Sequence, residues 1–277
     1  MLIQDLPEAE GIMFLFKGEP GTGKTTAIGS FPEPILVLAW DGLDKMRVLK
    51  RRYPTKHIEV EAFTTFLPFF NRLEELQERC DFRTVAIDSL TFLVDGILRT
   101  MVDTRGARYD KAGRRVIAQE GKTARGGIML LEVEDYGGEI RGLTQTFDKL
   151  KAIQLEQGHH IVVTAHVISA VYKNIKGVTS VSRELFTAGK KIAAKLPAYF
   201  SEQYHFDVHA EPPIRVVEGA PAVEPHYSIL TRHAGDDFAQ SMLGLPTVID
   251  ITDTDLYPIL QTYMVNQPTK QTEGETT

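Results

Sequence analysis

The stretch from Gly18 to Thr25 reads GEPGTGKT and satisfies the spacing G-x-x-x-x-G-K-S/T in full. The apolar run IMFLFK at 12–17 comes directly before it, and TTAIGSF, which reads as the start of a helix, follows Lys24. In such a strand–turn–helix, glycines let successive backbone N–H groups turn inward around phosphate oxygens, and the helix N-terminus favours anions. The stretch therefore predicts a phosphate-binding loop at the end of a buried parallel strand.

The same loop predicts which cofactors the protein uses. Lys24 is expected to reach the β- and γ-phosphates of ATP, and the Thr25 hydroxyl is expected to ligate Mg²⁺. The cofactor-binding residues predicted in this way are Gly18, Glu19, Pro20, Gly21, Thr22, Gly23, Lys24, Thr25 and Thr26. ATP and Mg²⁺ are therefore the expected cofactors.

An acidic residue lies near the end of another apolar run, TVAIDSL at 84–90. Asp88 is expected to be the second magnesium ligand beside Thr25, because Mg²⁺ prefers carboxylate and other oxygen ligands. The alternative is a helix N-cap, since Asp88 and Ser89 precede helical sequence, and one side chain can serve both roles.

Two more polar residues come at the ends of predicted strands. Asp41 follows ILVLAW and is the best-placed carboxylate to position or deprotonate water, although a turn role beside Gly42 stays open. His166 lies in HIVVTAHV at the carboxyl edge of the sheet, where open α/β folds bind ligands; a hydrogen-bonded strand-end histidine is the alternative. The predicted catalytic set is Lys24, Asp41, Asp88 and His166.

Apolar runs and amphipathic segments alternate along the chain. Strands are predicted at 12–17, 35–40, 57–63, 84–90, 160–167, 204–209, 214–217 and 227–232, and helices after Lys24 and at 44–53, 65–79, 91–102 and 128–157, the last broken at Gly137–Gly138. This alternation predicts an α/β fold with a mostly parallel central sheet flanked by helices on both faces. The expected division is an ATPase core at 1–235, a C-terminal extension packed on it at 236–267, and a disordered polar tail at 268–277.

Composition restricts the compartment. The single cysteine, Cys80, cannot form an internal disulfide and fits a reducing environment. No apolar run approaches the roughly 20 residues that cross a bilayer, and the first residues lack the basic-then-apolar order of a signal peptide. We therefore expect a cytoplasmic protein with no membrane partner.

Although the net charge of the chain is −6, two of its segments are positively charged. Residues 99–125 contain eight basic and three acidic residues, and residues 173–195 contain six basic residues against Glu184 alone. The first segment is rich in glycine and poor in apolar residues, so a long loop is predicted over 103–127, and the second follows the strand of His166 directly. Solvated loops are one interpretation of these segments, and contact with nucleic acid phosphates is the other.

The segments GEPGTGKTT, ILVLAWD, TVAIDS and HHIVVTAHV, in this order and spacing, resemble the RecA-type ATPases. Within that group the chain looks most like the core-only phage proteins of the Sak type, which are single-strand annealing recombinases. The softer similarities are LFTAGKKIAAKLPAYFSEQYHF at 185–206, Thr231–Arg232 and Gly244–Leu245–Pro246. The resemblance covers roughly residues 10–250.

This resemblance implies a RecA-like core with a slow, DNA-stimulated ATPase activity that serves DNA recombination or annealing of single-stranded DNA. It implies a phage protein in the host cytoplasm that self-assembles into a ring or filament with nucleotide at subunit interfaces, with a single-strand-binding protein as a possible partner. RecA proteins carry a catalytic glutamate near the position of Trp40 or Asp41, and a glutamine where His166 stands.

The resemblance also assigns the two basic segments to DNA, because mobile loops after central strands line the DNA channel in RecA-type proteins. The expected DNA contacts are Arg105, Arg108, Lys111, Arg114, Arg115, Lys122, Arg125, Lys173 and Lys176. Lys190 and Lys191 are expected to reach the nucleotide of a neighbouring subunit.

Two other functions fit the same loop. A P-loop kinase of small molecules would use a basic lid, which the 105–125 segment could supply. A nucleotide switch that loads a replication or recombination partner would hydrolyse ATP slowly and hold that partner in a stable complex.

Overall fold

Strands and helices alternate through most of the chain. The computed structural model describes residues 11–106, 133–173, 179–185, 195–209, 225–233 and 239–265. The strands are β1 (Met13–Gly18), β2 (Ile35–Ala39), β3 (Ile58–Ala62), β4 (Thr84–Asp88), β5 (His160–Lys173), β6 (Thr179–Leu185), β7 (Glu202–His209), β8 (His226–Leu230) and β9 (Val248–Asp250). The helices are α1 (Lys24–Ile28), α2 (Arg47–Arg52), α3 (Phe66–Glu78), α4 (Leu90–Gly106), α5 (Val133–Gln157) and α6 (Leu256–Val265), with a 3₁₀ turn at Leu196–Tyr199.

The strands form one sheet in the order β3-β2-β4-β5-β1-β7-β8-β9. The first six are parallel to one another, and β8 and β9 continue the sheet in antiparallel pairing. The α/β prediction with a mostly parallel sheet is confirmed, and the architecture is that of a P-loop NTPase-like fold. β5 lies between β1 and β4, so the strand before the glycine-rich loop and the strand of Asp88 are not neighbours.

Helices cover both faces of the sheet, as predicted. In β1, Met13 and Leu15 point into a core that α3, α4 and α5 complete. Phe14 and Phe16 point to the opposite face, into a second core that includes residues of α1, α2 and α6. All six residues of β1 are buried, which explains the continuous apolar run from Met13 to Phe16.

The expected break at Gly137–Gly138 was wrong, because α5 runs through both glycines from Val133 to Gln157. A Cβ atom added to Gly138 would lie 2.7 Å from the Sδ atom of Met101 in α4. The missing side chain therefore lets the two helices approach closely, and this packing outweighs the low helix propensity of glycine.

The structure also corrects the predictions that the two basic segments are loops. β5 does not end near His166 but continues to Lys173, and its second half pairs with β6 as an antiparallel ribbon, so this segment is not a loop throughout. β-branched residues such as Val167, Ile168 and Val171 favour this extension. Helix α4 continues to Gly106, so Arg105 lies on a helix and not in the predicted loop. The strand expected at 214–217 lies outside the described residues.

Two elements near the C-terminus have no counterpart among the predicted ones. β9 pairs with β8, and α6 contributes Leu256 and Leu260 to the second core. At three residues, β9 is too short to produce a periodic signal. Across the described part of the chain, no helix combines the length and apolarity required to traverse a bilayer.

Candidate functional site

The glycine-rich loop leaves the sheet between two other strands. Gly18 is in parallel register with His166 of β5 and with Phe206 of β7. A Cβ atom at Gly18 would lie 2.3 Å from the carbonyl oxygen of Phe206, so only glycine fits there. Gly23 has a φ of 90° and caps α1 without any side-chain hydrogen bond, which leaves the first N–H groups of the helix available to an anion.

Lys24 lies inside the loop and is almost fully buried. Its ammonium group donates hydrogen bonds to the carbonyl oxygens of Gly18 and Glu19, at 2.8 and 2.6 Å, and to the Thr22 hydroxyl at 3.2 Å. Burial lowers the pKa of Lys24 to about 8, against the opposing effects of the Asp88 and Glu19 carboxylates. The loop therefore holds a desolvated cation whose charge an incoming anion would stabilise.

Thr25 and Asp88 are adjacent although 63 residues separate them in sequence. The Thr25 hydroxyl donates a hydrogen bond to Asp88 Oδ2 at 2.7 Å, and the hydroxyl of Thr164 in β5 donates to Asp88 Oδ1. The Asp88 carboxylate thus accepts hydrogen bonds from α1 and β5. For the alternative role as a helix N-cap, Asp88 lies two residues before the first residue of α4, Leu90. A hydroxyl and a carboxylate beside a phosphate-binding loop form the oxygen ligand set that suits Mg²⁺, whose other ligands are usually phosphate oxygens and water.

Asp41 lies in the turn after β2 and its carboxylate is ion-paired. Lys45 Nζ contacts Asp41 Oδ2, and the same Nζ lies 5.5 Å from the ring centre of Phe92. Trp40, the neighbouring residue, is buried and packs on Gly96 of α4. Asp41 is therefore the side chain of this turn that reaches the site, and Lys45 is a partner that the sequence did not reveal.

His166 is half-buried at the end of the parallel part of β5. Its backbone N–H donates to the Thr91 hydroxyl at 3.0 Å, and its ring stands edge-on to Phe92 with 6.0 Å between the centres. Burial lowers the pKa of His166, and the nearby ammonium of Lys24 lowers it further. A neutral imidazole can both donate and accept hydrogen bonds.

One cavity of about 780 Å³ brings these residues together. Residues 20–26 of the loop line it with Asp41, Lys45, Asp88 and His166. This volume lies within the usual range for small-molecule and cofactor sites. It places all four predicted catalytic residues around a single space.

The opposite wall of the cavity was not predicted from the sequence. Tyr227 of β8 lines it with Ile251, Thr252 and Leu256. The Tyr227 ring lies beside the loop, because a Cβ at Gly23 would be 3.5 Å from Tyr227 Cδ1. Asp255 holds this wall by accepting a 2.7 Å hydrogen bond from Tyr53 at the end of α2. These residues come together only through long-range pairing, so no local signal identifies them.

Two of the predicted DNA contacts fall on backbone elements that the structure describes. Lys173 ends β5 in the ribbon, and Arg105 lies near the end of α4. The other predicted contacts lie outside the described residues: Arg108, Lys111, Arg114, Arg115, Lys122, Arg125, Lys176, Lys190 and Lys191.

A comparison with protein-family models finds a match over most of the described cavity residues. The sequence model described as an AAA domain matches residues 10–202, which include the loop, Asp41, Asp88 and His166. A comparison with curated proteins finds none that matches this chain. The family is one of P-loop ATPase-type domains and implies nucleotide binding, usually with Mg²⁺. Because the match covers well over half of the 277 residues, the chain belongs to the AAA domain family.

Proposed function

We propose that the protein is a RecA-like ATPase of phage type that binds ATP with Mg²⁺ and acts on single-stranded DNA in recombination or annealing. The observation that carries the ATPase part is the hydrogen-bonded pair of Thr25 and Asp88 beside the buried Lys24. These three side chains lie in one cavity with the glycine-rich loop.

In this proposal each residue has a defined task. Lys24 would exchange its contacts with the loop carbonyls for oxygens of the β- and γ-phosphates. Thr25 and Asp88 would hold Mg²⁺, which neutralises charge on the phosphate oxygens when it is bound. Asp41 would orient the attacking water, and the neutral His166 would hydrogen-bond at the terminal phosphate. Hydrolysis by this set would yield ADP and phosphate.

The nucleoside would lie at the wall that Tyr227 lines. We expect Tyr227→Ala to weaken ATP binding by about tenfold, because base–aromatic stacking contributes roughly 1–3 kcal/mol. Inorganic tripolyphosphate has no base, so its affinity is expected to stay within about twofold of wild type. Isothermal titration with both ligands checks this prediction. An equal loss for ATP and tripolyphosphate would place Tyr227 in the phosphate site instead.

Support for DNA binding comes from charge and from the position of the ribbon. β5 passes from the nucleotide cavity at His166 to Lys173, at the end of its pairing with β6, and Lys176 follows within four residues. The first basic segment follows α4, the helix that begins just after Asp88. One cationic segment therefore follows the strand whose His166 lines the cavity, and the other follows the helix that begins just after Asp88, an arrangement that would let bound DNA influence turnover.

A proposed assembly complements the single subunit. Lys190 and Lys191 would reach the nucleotide of a neighbouring copy, so that a ring or filament completes each site. The 236–267 segment is proposed to serve as an extension packed on a 1–235 core. A cytoplasmic location and a single-strand-binding protein as partner belong to the same proposal.

The DNA part of the proposal is tested by neutralising four cations. We expect Arg114, Arg115, Lys173 and Lys176, all changed to Gln, to weaken binding of a single-stranded oligonucleotide by tenfold or more. The salt dependence should also become shallower, by a slope of about 0.7 for each phosphate that the variant no longer neutralises. Fluorescence anisotropy over a series of salt concentrations measures both effects. ATP turnover by wild type should rise with the oligonucleotide and not with nucleosides.

The matched control removes four exposed cations elsewhere, by changing Arg47, Lys50, Arg79 and Arg232 to Gln. It has the same change in net charge and should keep most of the DNA affinity. Equal losses in both quadruple variants would contradict a defined DNA surface. Turnover that responds to a nucleoside would favour the kinase alternative.

The ion pair of Asp41 with Lys45 favours a second candidate, a nucleotide switch that loads a partner protein. A carboxylate engaged by a lysine is a poor base, so turnover would be slow. This candidate predicts turnover that oligonucleotide leaves unchanged and a stable, ATP-dependent complex with a replication protein.

A further inference from the structure

Lys45 is a cation of the cavity to which the proposed ATPase function assigns no role. Its side chain is 53 % exposed, whereas the Asp41 carboxylate that it contacts is only 14 % exposed. Both side chains line the cavity. The lysine therefore sits at the surface of the cavity and covers the more buried carboxylate.

The ion pair lies at the magnesium end of the cavity. Ala39 of β2 is in register with Asp88, and the N–H of Trp40 donates to the Asp88 carbonyl oxygen at 2.7 Å, so the turn of Asp41 follows beside the Asp88 strand. Lys45 Nζ also lies over Phe92, whose ring meets His166. In the sheet order, β2 and β4 lie on one side of β1, whereas β8 with Tyr227 lies on the other. Lys45 is thus placed for the terminal phosphate and not for the nucleoside.

The charges at this end act on one another. Burial is the main reason that the pKa of His166 is lowered; Lys24 and Lys45 lower it further, and the Asp41 and Asp88 carboxylates oppose the shift. Lys24 already has three partners within the loop. Among the described residues, Lys45 is ion-paired with Asp41 alone, and its stem is flexible and half-exposed, so it can change partner at low cost.

We propose that Lys45 senses the terminal phosphate by changing partners. In the nucleotide-free chain it neutralises Asp41; when ATP enters the proposed site, Lys45 turns to the γ-phosphate and leaves Asp41 free to orient water. A terminal phosphate carries more negative charge than one carboxylate, so it competes successfully for the ammonium group. ADP lacks that phosphate and leaves the pair intact. This inference rests on the proposed function and adds a residue that distinguishes ATP from ADP.

A double-mutant cycle tests the exchange, using the full chain with Mg²⁺ and either a non-hydrolysable ATP analogue or ADP. Lys45→Met should weaken binding of the analogue by about tenfold and change ADP affinity by less than about twofold, as expected for one charge-assisted contact. Asp41→Asn should tighten binding of the analogue several-fold by releasing Lys45. In the Lys45→Met background, Asp41→Asn should have no such effect, because the exchange needs both side chains.

Two further variants serve as controls. Lys45→Arg should restore most of the preference for the analogue, and Lys50→Met, at an exposed lysine outside the cavity wall, should bind as wild type. If Asp41→Asn tightens binding equally with and without Lys45, simple repulsion is the cause and the exchange is wrong. Equal losses for the analogue and ADP in Lys45→Met would also overturn it. Wild type that binds neither nucleotide would overturn the proposed function itself.

Discussion

Lys24→Ala is expected to reduce ATP affinity by at least about a hundredfold, because it removes the one buried cation that lies within the phosphate loop. Its ammonium group is desolvated, and each contact with a charged phosphate in such a site is strong. The loss should appear for ATP, ADP and tripolyphosphate alike, since all three contain the phosphates that Lys24 would contact. Isothermal titration with Mg²⁺ present measures it.

Two control variants test whether the loss of affinity instead reflects misfolding or a general loss of positive charge. Lys24→Met keeps the apolar stem in its buried position, and Lys50→Ala removes an exposed lysine of α2. The pKa of about 8 adds a second readout: wild-type affinity should fall as the pH rises past this value, because the free protein then loses the proton that binding requires. Lys24→Met should lack this dependence. A folded Lys24→Met protein with wild-type affinity would contradict the phosphate site.

Asp88→Asn is expected to remove the benefit of Mg²⁺ for ATP binding and to reduce turnover by about a hundredfold or more, because a neutral amide is a poor magnesium ligand. The fold should persist. An amide can still accept the hydrogen bond from one threonine, and the hydroxyl of the other can rotate to accept from its NH₂ group. The free energy of unfolding should therefore fall by only about 1–2 kcal/mol.

The test compares ATP affinity with Mg²⁺ and with a chelator in wild type and variant. Thr164→Val is the matched control, because it deletes a hydrogen bond to the same carboxylate and keeps its charge. We expect this control to lose less than about tenfold in turnover. If Asp88→Asn keeps the full response to Mg²⁺, Asp88 is not a metal ligand.

The sequence identified the elements whose signals are local. The glycine-rich loop, its strand and the run that ends at Asp88 each lie within a few consecutive residues, so spacing and apolar pattern were sufficient. The sequence showed that the two segments are positively charged, but it did not predict the strands that the second segment forms. The ribbon of β5 and β6 forms because Val167 to Lys173 find a partner strand, which charge counting does not detect.

Helix α5 is a second case in which the local sequence was insufficient, because the helix continues through Gly137–Gly138 where a break was predicted. Glycine has low helix propensity, so the local rule predicts a break. The close approach of Met101 to Gly138 provides packing that a larger residue would prevent. Packing between α4 and α5 therefore outweighs the low helix propensity of glycine at this point. The sequence alone does not show whether packing or propensity contributes more.

By itself, the sequence determined that the chain has a phosphate loop, a parallel α/β sheet and the polar residues at its carboxyl edge, because each follows from neighbours along the chain. Only the tertiary structure decided that Thr164 orients Asp88, that Lys45 covers Asp41, and that Tyr227 and Asp255 complete the cavity. Tyr53 and Asp255 are 202 residues apart, and Thr164 and Asp88 are 76 apart. The Tyr53–Asp255 and Thr164–Asp88 contacts depend on strand order and packing between distant segments, which hydrophobic periodicity does not encode.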